Sequence, residues 1–243
     1  MSSTLDDLPE IPNPEIHHQH RDVSGGWLRP TVFGMMDGLV SNFSLILGFA
    51  GGQASSKTVI LAGFSGLAAG AFSMATGEFI SVQSQNESTH AEILVEQHEL
   101  AVNADAELAE LVQSYVARGV DPDVATRFAQ QITSDPHQAL IVHAQEELGV
   151  DPTQLPSPWV AAGSSFVAFT LGAILPVVPY LLGASTAVLS TVVAALTLFI
   201  AGVIASRFTS RTWWYAGLRQ LAFGLLAALV TYGVGALFHV TTA

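Results

Sequence analysis

PTQLPSPWVAAGSSFVAFTLGAILPVVPYLLGASTAVLSTVVAALTLFIAGVIAS, residues 152–206, runs for 55 positions without an Asp, Glu, Lys or Arg. A bilayer core takes about 20 apolar residues per helix. The run is therefore too long for one crossing, and it is too apolar to face water. It divides at Gly183-Ala184-Ser185, a turn-forming cluster, into spans over Pro158–Leu182 and Ala184–Ser206. Working outward, Thr31–Gly52 and Val59–Ile80 supply two earlier spans joined by a turn holding Lys57, and Trp213–Phe238 supplies a fifth. Pro176 and Pro179 fall inside the third span, where a missing N–H kinks a helix and frees carbonyls. The fold class expected is an all-α integral membrane protein with five transmembrane helices.

Composition supports that class and excludes others. Of 243 residues, 50% are hydrophobic and 12% charged, about half the charge of a soluble globular chain. An ordinary soluble enzyme and a disordered chain are both excluded. A net charge of −12 repels phosphate backbones, so no nucleic acid is expected as a partner. There is no cysteine, hence no disulfide framework and no thiolate chemistry. The first 25 residues are polar and lack an apolar h-region, so no cleavable signal peptide is expected.

Charge is also unevenly placed. Thirteen of the twenty acids lie between Glu87 and Asp151, accompanied only by Arg118 and Arg127. The domain reading is then a polar His-bearing segment over residues 1–30, two spans over 31–82, an acidic helical insert over 83–152, and three spans over 153–243. With the N-terminus inside, seven basic residues (Arg21, Arg29, Arg118, Arg127, Arg207, Arg211, Arg219) are cytoplasmic and only Lys57 is outside, as the positive-inside rule demands. Trp27, Trp159, Trp213 and Trp214 sit near span ends as interfacial anchors. The expected location is the bacterial inner (cell) membrane, with the N-terminus and acidic insert in the cytoplasm. Gly48 with Gly52, and Gly66 with Gly70, allow close helix approach, either within the chain or at a dimer seam.

Two acids interrupt the apolar spans. Asp37 lies in Asp37-Gly38-Leu39-Val40-Ser41-Asn42, and Glu78 closes Ala71-Phe72-Ser73-Met74-Ala75-Thr76-Gly77-Glu78. Carboxylates at membrane depth are costly and normally face a cavity or pathway. Asp37 with Ser41, and Met74 with Glu78, are four apart and share a helix face. Thioether beside carboxylate suits a borderline transition metal better than magnesium or calcium. At that depth a proton and a cation compete for the same oxygen. Asp37, Ser41, Asn42, Met74 and Glu78 are the candidate transport pathway, although Glu78 also suits a solvated position at the interface.

In the insert, Glu92, Glu96 and Glu99 follow i, i+4, i+7 on a helix continuing from span two. After a break near Asn103-Ala104-Asp105, Glu107 and Glu110 are three apart on a second helix ended by Gly119. Asp121-Pro122 opens a third, interrupted at Ser134-Asp135-Pro136, which carries His143 and Glu147 four apart with Glu146 beside them. Like charges at this spacing destabilise a bare helix, whereas a divalent cation would draw them together as in carboxylate bundle sites. The candidate metal ligands are Glu92, Glu96, Glu99, Glu107, Glu110, His143, Glu146 and Glu147. The alternative is a solvated acidic face. The leader Glu15-Ile16-His17-His18-Gln19-His20 could capture metal or remain a solvated tail.

Together the two span signatures, with Gly172-Ala173-Ile174-Leu175-Pro176 and Glu147-Leu148-Gly149, resemble the vacuolar iron transporter family, in a bacterial-type member. The resemblance covers roughly Trp27 to the C-terminus. It implies a homodimer of five-span subunits with a cation path between them lined by span one, and a three-helix cytoplasmic metal-binding domain between spans two and three. It places glutamate ligands at Glu96, Glu99, Glu107, Glu110 and Glu147, and pathway residues at Asp37 and Met74. Where eukaryotic relatives have methionine one turn before the last glutamate, this chain has His143, a donor that still suits iron, zinc, nickel and cobalt.

The function expected is proton-coupled export of divalent transition metals from the cytosol, without a prosthetic group. Fe2+, Mn2+, Co2+, Ni2+ and Zn2+ would be substrates and possible regulators. The partners are a second copy, protons and the lipid bilayer. The alternative is a membrane-anchored cytosolic metal buffer or sensor without transport. An enzyme is the weakest reading, because di-iron bundle sites pair two Glu-x-x-His motifs, and the insert does not hold two.

Overall fold

The computed structural model describes residues 26–207 and 211–238. The histidine-rich leader at residues 15–20 lies outside the described residues. All regular structure among them is helical. Helix α1 spans Leu28–Gly51 and α2 spans Ser56–Val102. The insert continues with α3 over Ala104–Ala117, α4 over Pro122–Thr133 and α5 over Pro136–His143, which runs into a π turn at Ala144–Leu148. The chain then returns through α6 (Pro158–Ile174), α7 (Val178–Leu181), α8 (Ala187–Ser206) and α9 (Trp213–Phe238).

Four of these helices, α1, α2, α8 and α9, are long and apolar enough to cross a membrane. The stretch expected as one third span, Pro158–Leu182, is not a continuous helix. It is the 17-residue α6, a break, and the four-residue α7. Pro176 has no N–H to return to Gly172, and Val177 N–H donates to the Ile174 carbonyl (3.0 Å) rather than to Ala173. The two stretches expected as the third and fourth spans therefore differ in kind. α8 is an uninterrupted 20 residues, while α6 and α7 form a bent pair.

α1 lies at the centre of the bundle, against α2, α6, α8 and α9. Leu39, Phe43 and Leu47 on α1 pack with Ala194, Leu198 and Ala201 of α8 and Ala228 of α9. On a neighbouring face of α1, Ile46 meets Val59, Val177 and Tyr180. Backbones touch where glycines allow it. A Cβ at Gly172 would collide with the Met35 carbonyl, and one at Gly235 with the Gly48 carbonyl. Gly48 thus receives α9, and Gly70 receives the Phe169 ring, so within the described chain both glycine pairs serve intrachain packing. Gly172→Val is expected to separate α1 from α6 and cost about 1–3 kcal/mol, as overpacking does. Thermal unfolding in detergent would read the lowered midpoint, and an unchanged midpoint would contradict the crossing.

Ser55 opens α2 by accepting from Thr58 N–H at 3.3 Å. At 47 residues, α2 is roughly 70 Å long at 1.5 Å per residue, more than twice a hydrocarbon core of about 30 Å. One helix therefore joins the apolar bundle to the acidic insert. Helices α4 and α5 begin at aspartate caps with proline in the first turn: Asp121 accepts from Asp123 and Val124 N–H, and Asp135 from His137 and Gln138 N–H. The interruption expected at Ser134-Asp135-Pro136 divides α4 from α5, which starts at Pro136.

Candidate functional site

Two groups of polar side chains stand on α2, one at each end. The first lines a cavity of about 290 Å³ formed by Asp37, Ser41, Asn42 and Leu45 of α1, Gly66, Gly70, Ser73 and Met74 of α2, and Phe169 of α6. Ser41 Oγ donates back to the Asp37 carbonyl (2.6 Å), leaving the Asp37 carboxylate free of that hydroxyl. Asn42 is buried, and its Nδ2 donates to the Ala173 carbonyl at 2.5 Å. That carbonyl is available because α6 breaks before Pro176. With its nitrogen so committed, the amide turns Oδ1, which has no hydrogen-bond partner, toward Gly66, where a Cβ would stand 3.0 Å away. The cavity thus gathers a carboxylate, an amide oxygen, two hydroxyls and a thioether. Ser41 and Ser73 on its rim are exposed.

Glu78, grouped with these residues in the sequence, does not line that cavity. It is buried one turn beyond Met74, and its Oε2 has no hydrogen-bond partner.

The second group is in the insert. Glu96 of α2, Glu107 of α3, His143 of α5 and Glu147 of the π turn each present a ligand atom, all within 4.8 Å of one another. His143 is 1% exposed and central. Its Nδ1 stands 3.1 Å from Glu96 Oε1, 3.2 Å from Glu147 Oε1 and 3.6 Å from Glu107 Oε2. A metal with bonds of about 2.1 Å would hold opposite ligands ~4 Å apart, so slight contraction would close the site. Burial, the neighbouring Glu147 charge and the more distant glutamates push the Glu96 carboxyl up to about 7, against a smaller opposing pull from His143. Burial likewise raises Glu107. Carboxylates crowded in this way keep a proton until a cation replaces it.

This shift carries a pH prediction. Glu96 is raised above its ordinary 4.5, so the metal-free fold binds the extra proton more tightly than the unfolded chain does. Its contribution to stability is complete below about 4.5 and is lost as pH rises through about 7. Hydrogen–deuterium exchange of the full chain should show faster opening of the α2 tail and α3 at pH 8 than at pH 5.5 without metal. Added Zn2+ should reverse the trend, because metal binding improves as the protons leave. Equal protection at both pH values would refute it.

Other residues expected as ligands stand outside the four-atom cluster. Glu99 accepts from Asn103 Nδ2 at 2.5 Å. Glu110 is exposed one turn after Glu107, and its charge still contributes to the raised Glu96 and Glu107. Glu92 is exposed one turn before Glu96. Glu146 pairs with Arg118, and Tyr115 Oη donates to it at 3.0 Å. Sequence reading did not single out Tyr115 or assign Arg118 a site role. Arg118 being one of two bases among thirteen acids was the available signal.

The family model described as the VIT family matches residues 28–236. Among curated relatives, a "Vacuolar iron transporter" of Acanthamoeba castellanii is 35% identical, covering 89% of this chain and 81% of the relative. "Vacuolar iron transporter 1" of Arabidopsis thaliana is 30% identical over 79% of each. "Vacuolar iron transporter 2" of Oryza sativa is 28% identical over 90% of each.

Proposed function

The chain belongs to the VIT family, and on that premise we propose that it exports divalent transition-metal ions, Fe2+ foremost, from the cytosol in exchange for protons. The observation that carries the reading is the cavity in which Asp37 and Met74 meet between α1 and α2. A carboxylate at membrane depth, joined by a thioether and an amide oxygen, is a donor set for a borderline cation. It can exchange that cation for a proton, and the pH gradient then supplies direction.

The insert acts as the cytosolic intake. Glu96, Glu107, His143 and Glu147 take the metal from solution, with Glu92, Glu99 and Glu110 forming an acidic approach. Met74, Glu78 and Glu96 share one stripe of α2, since the eighteen-residue step from Glu78 to Glu96 makes five helical turns. Glu78 is the intermediate oxygen on that stripe. In this reading α6 and α7 together make the third of five crossings, which puts the N-terminus and the insert on the cytosolic side. The exposed rim of the cavity, at Ser41 and Ser73, is closed by a second copy of the chain.

The test is metal uptake into proteoliposomes with Fe2+, Mn2+, Co2+, Ni2+ and Zn2+ under an imposed pH gradient. Accumulation that collapses with the gradient supports exchange. Binding without accumulation of any ion supports the membrane-anchored buffer instead.

A further inference from the structure

We propose that Tyr115 and Arg118 are positioning residues for the insert's metal site, holding Glu146 out of the carboxylate cluster and so fixing the π turn that presents Glu147 to it. This rests on reading the Glu96, Glu107, His143 and Glu147 group as a metal site. Positions three and four residues beyond a helical side chain are both its neighbours, so Glu146 and Glu147 have equal access to His143 by spacing. The structure separates them. Glu147 Oε1 lies 3.2 Å from His143 Nδ1, whereas both oxygens of Glu146 point away, one to Tyr115 Oη at 3.0 Å and one to the Arg118 guanidinium.

Both tethers come from the C-terminal end of α3. The same helix carries Glu107 in its first turn and ends at Arg118, its C-cap, so ligand and tethers are fixed to one element. Tyr115 is itself held edge-on against Phe128 of α4, with ring centroids 5.0 Å apart, and Arg118 stacks over the Tyr115 ring at 5.7 Å. The latch therefore ties the π turn to α3 and α4 together. The turn is the kind of local irregularity that helices place at functional sites, and Gly149 closes it at φ 67°.

The chemical consequence is the donor set. Excluding Glu146 leaves three carboxylates and one imidazole, a mixture suited to iron, cobalt, nickel and zinc. A fourth carboxylate would move the site toward harder ions. The test uses the purified full-length protein in detergent, carrying Asp37→Ala to silence the cavity, titrated with Co2+ and read by its d–d absorption. Arg118→Gln and Tyr115→Phe are each expected to weaken Co2+ binding about 10-fold, as losses of outer supports do, and to change the band shape. Arg118→Lys should restore most of both, since one charged contact suffices. Half of the Arg118 side chain is exposed (54%), so these variants leave the helices packed. Tighter Co2+ binding in Arg118→Gln would make Glu146 a ligand held in reserve and overturn the proposal. So would an unchanged spectrum in both variants. Failure of the Asp37→Ala parent to bind Co2+ at all would instead remove the metal-site reading beneath it.

Discussion

Replacing Asp37 by alanine is expected to bring metal-dependent proton flux in proteoliposomes down to the level of protein-free vesicles. Asp37 supplies the one carboxylate among the residues lining the α1–α2 cavity. Ser41, Asn42, Ser73 and Met74 offer neutral donors, which can hold a cation but cannot return a proton at physiological pH. Without the carboxylate there is no group to couple the two flows. The side chain is not part of the apolar clusters that hold α1 against its neighbours, so the variant should elute with the wild type in gel filtration. Asp37→Asn sharpens the result by keeping the volume and an oxygen donor while removing the ionisable group, and it should lose coupling equally. Proton flux that survives Asp37→Asn would assign the exchange to another residue, and the antiport proposal would fail with it.

The second large effect is expected at His143. It is the least exposed of the four clustered side chains and stands within 3.6 Å of three glutamates. His143→Ala removes the only nitrogen donor of the group and leaves carboxylates facing one another. Affinity for Zn2+, Ni2+ and Co2+ should fall at least about 100-fold, the upper range for losing even an outer support. Mn2+ should fall less, because oxygen donors suit it. Calorimetric titration of the full chain in the Asp37→Ala background measures this without interference from the cavity. His143→Met, which keeps bulk and offers a thioether, should restore packing but reorder the metals. A uniform loss for all ions in His143→Met would mean that the histidine supports the fold and does not ligate.

The two effects differ in how far they could be foreseen. Asp37 is conspicuous because a single charge in an apolar run is a local fact, visible without knowing any contact. The metal group is not local. Glu92, Glu96 and Glu99 are equivalent by helical spacing, yet only Glu96 turns toward His143, because the crossing of α2 with α5 selects one part of the helix face. Glu146 and Glu147 are adjacent, and their opposite fates depend on Tyr115 and Arg118, some thirty residues away.

Hydropathy and capping act within a few residues, so the chain alone determined the helical class, the bounds of α1, α8 and α9 and the start of α2 to within a few residues, the kink at Pro176 and the aspartate starts of α4 and α5. Where side chains meet depends on helix rotation, on the bend that frees the Ala173 carbonyl for Asn42, and on the π turn that parts Glu146 from Glu147. None of these has a sequence period. They are set by which backbones touch at Gly172 and Gly235 and by long-range polar pairs, so only the packed structure decides which donors share a site.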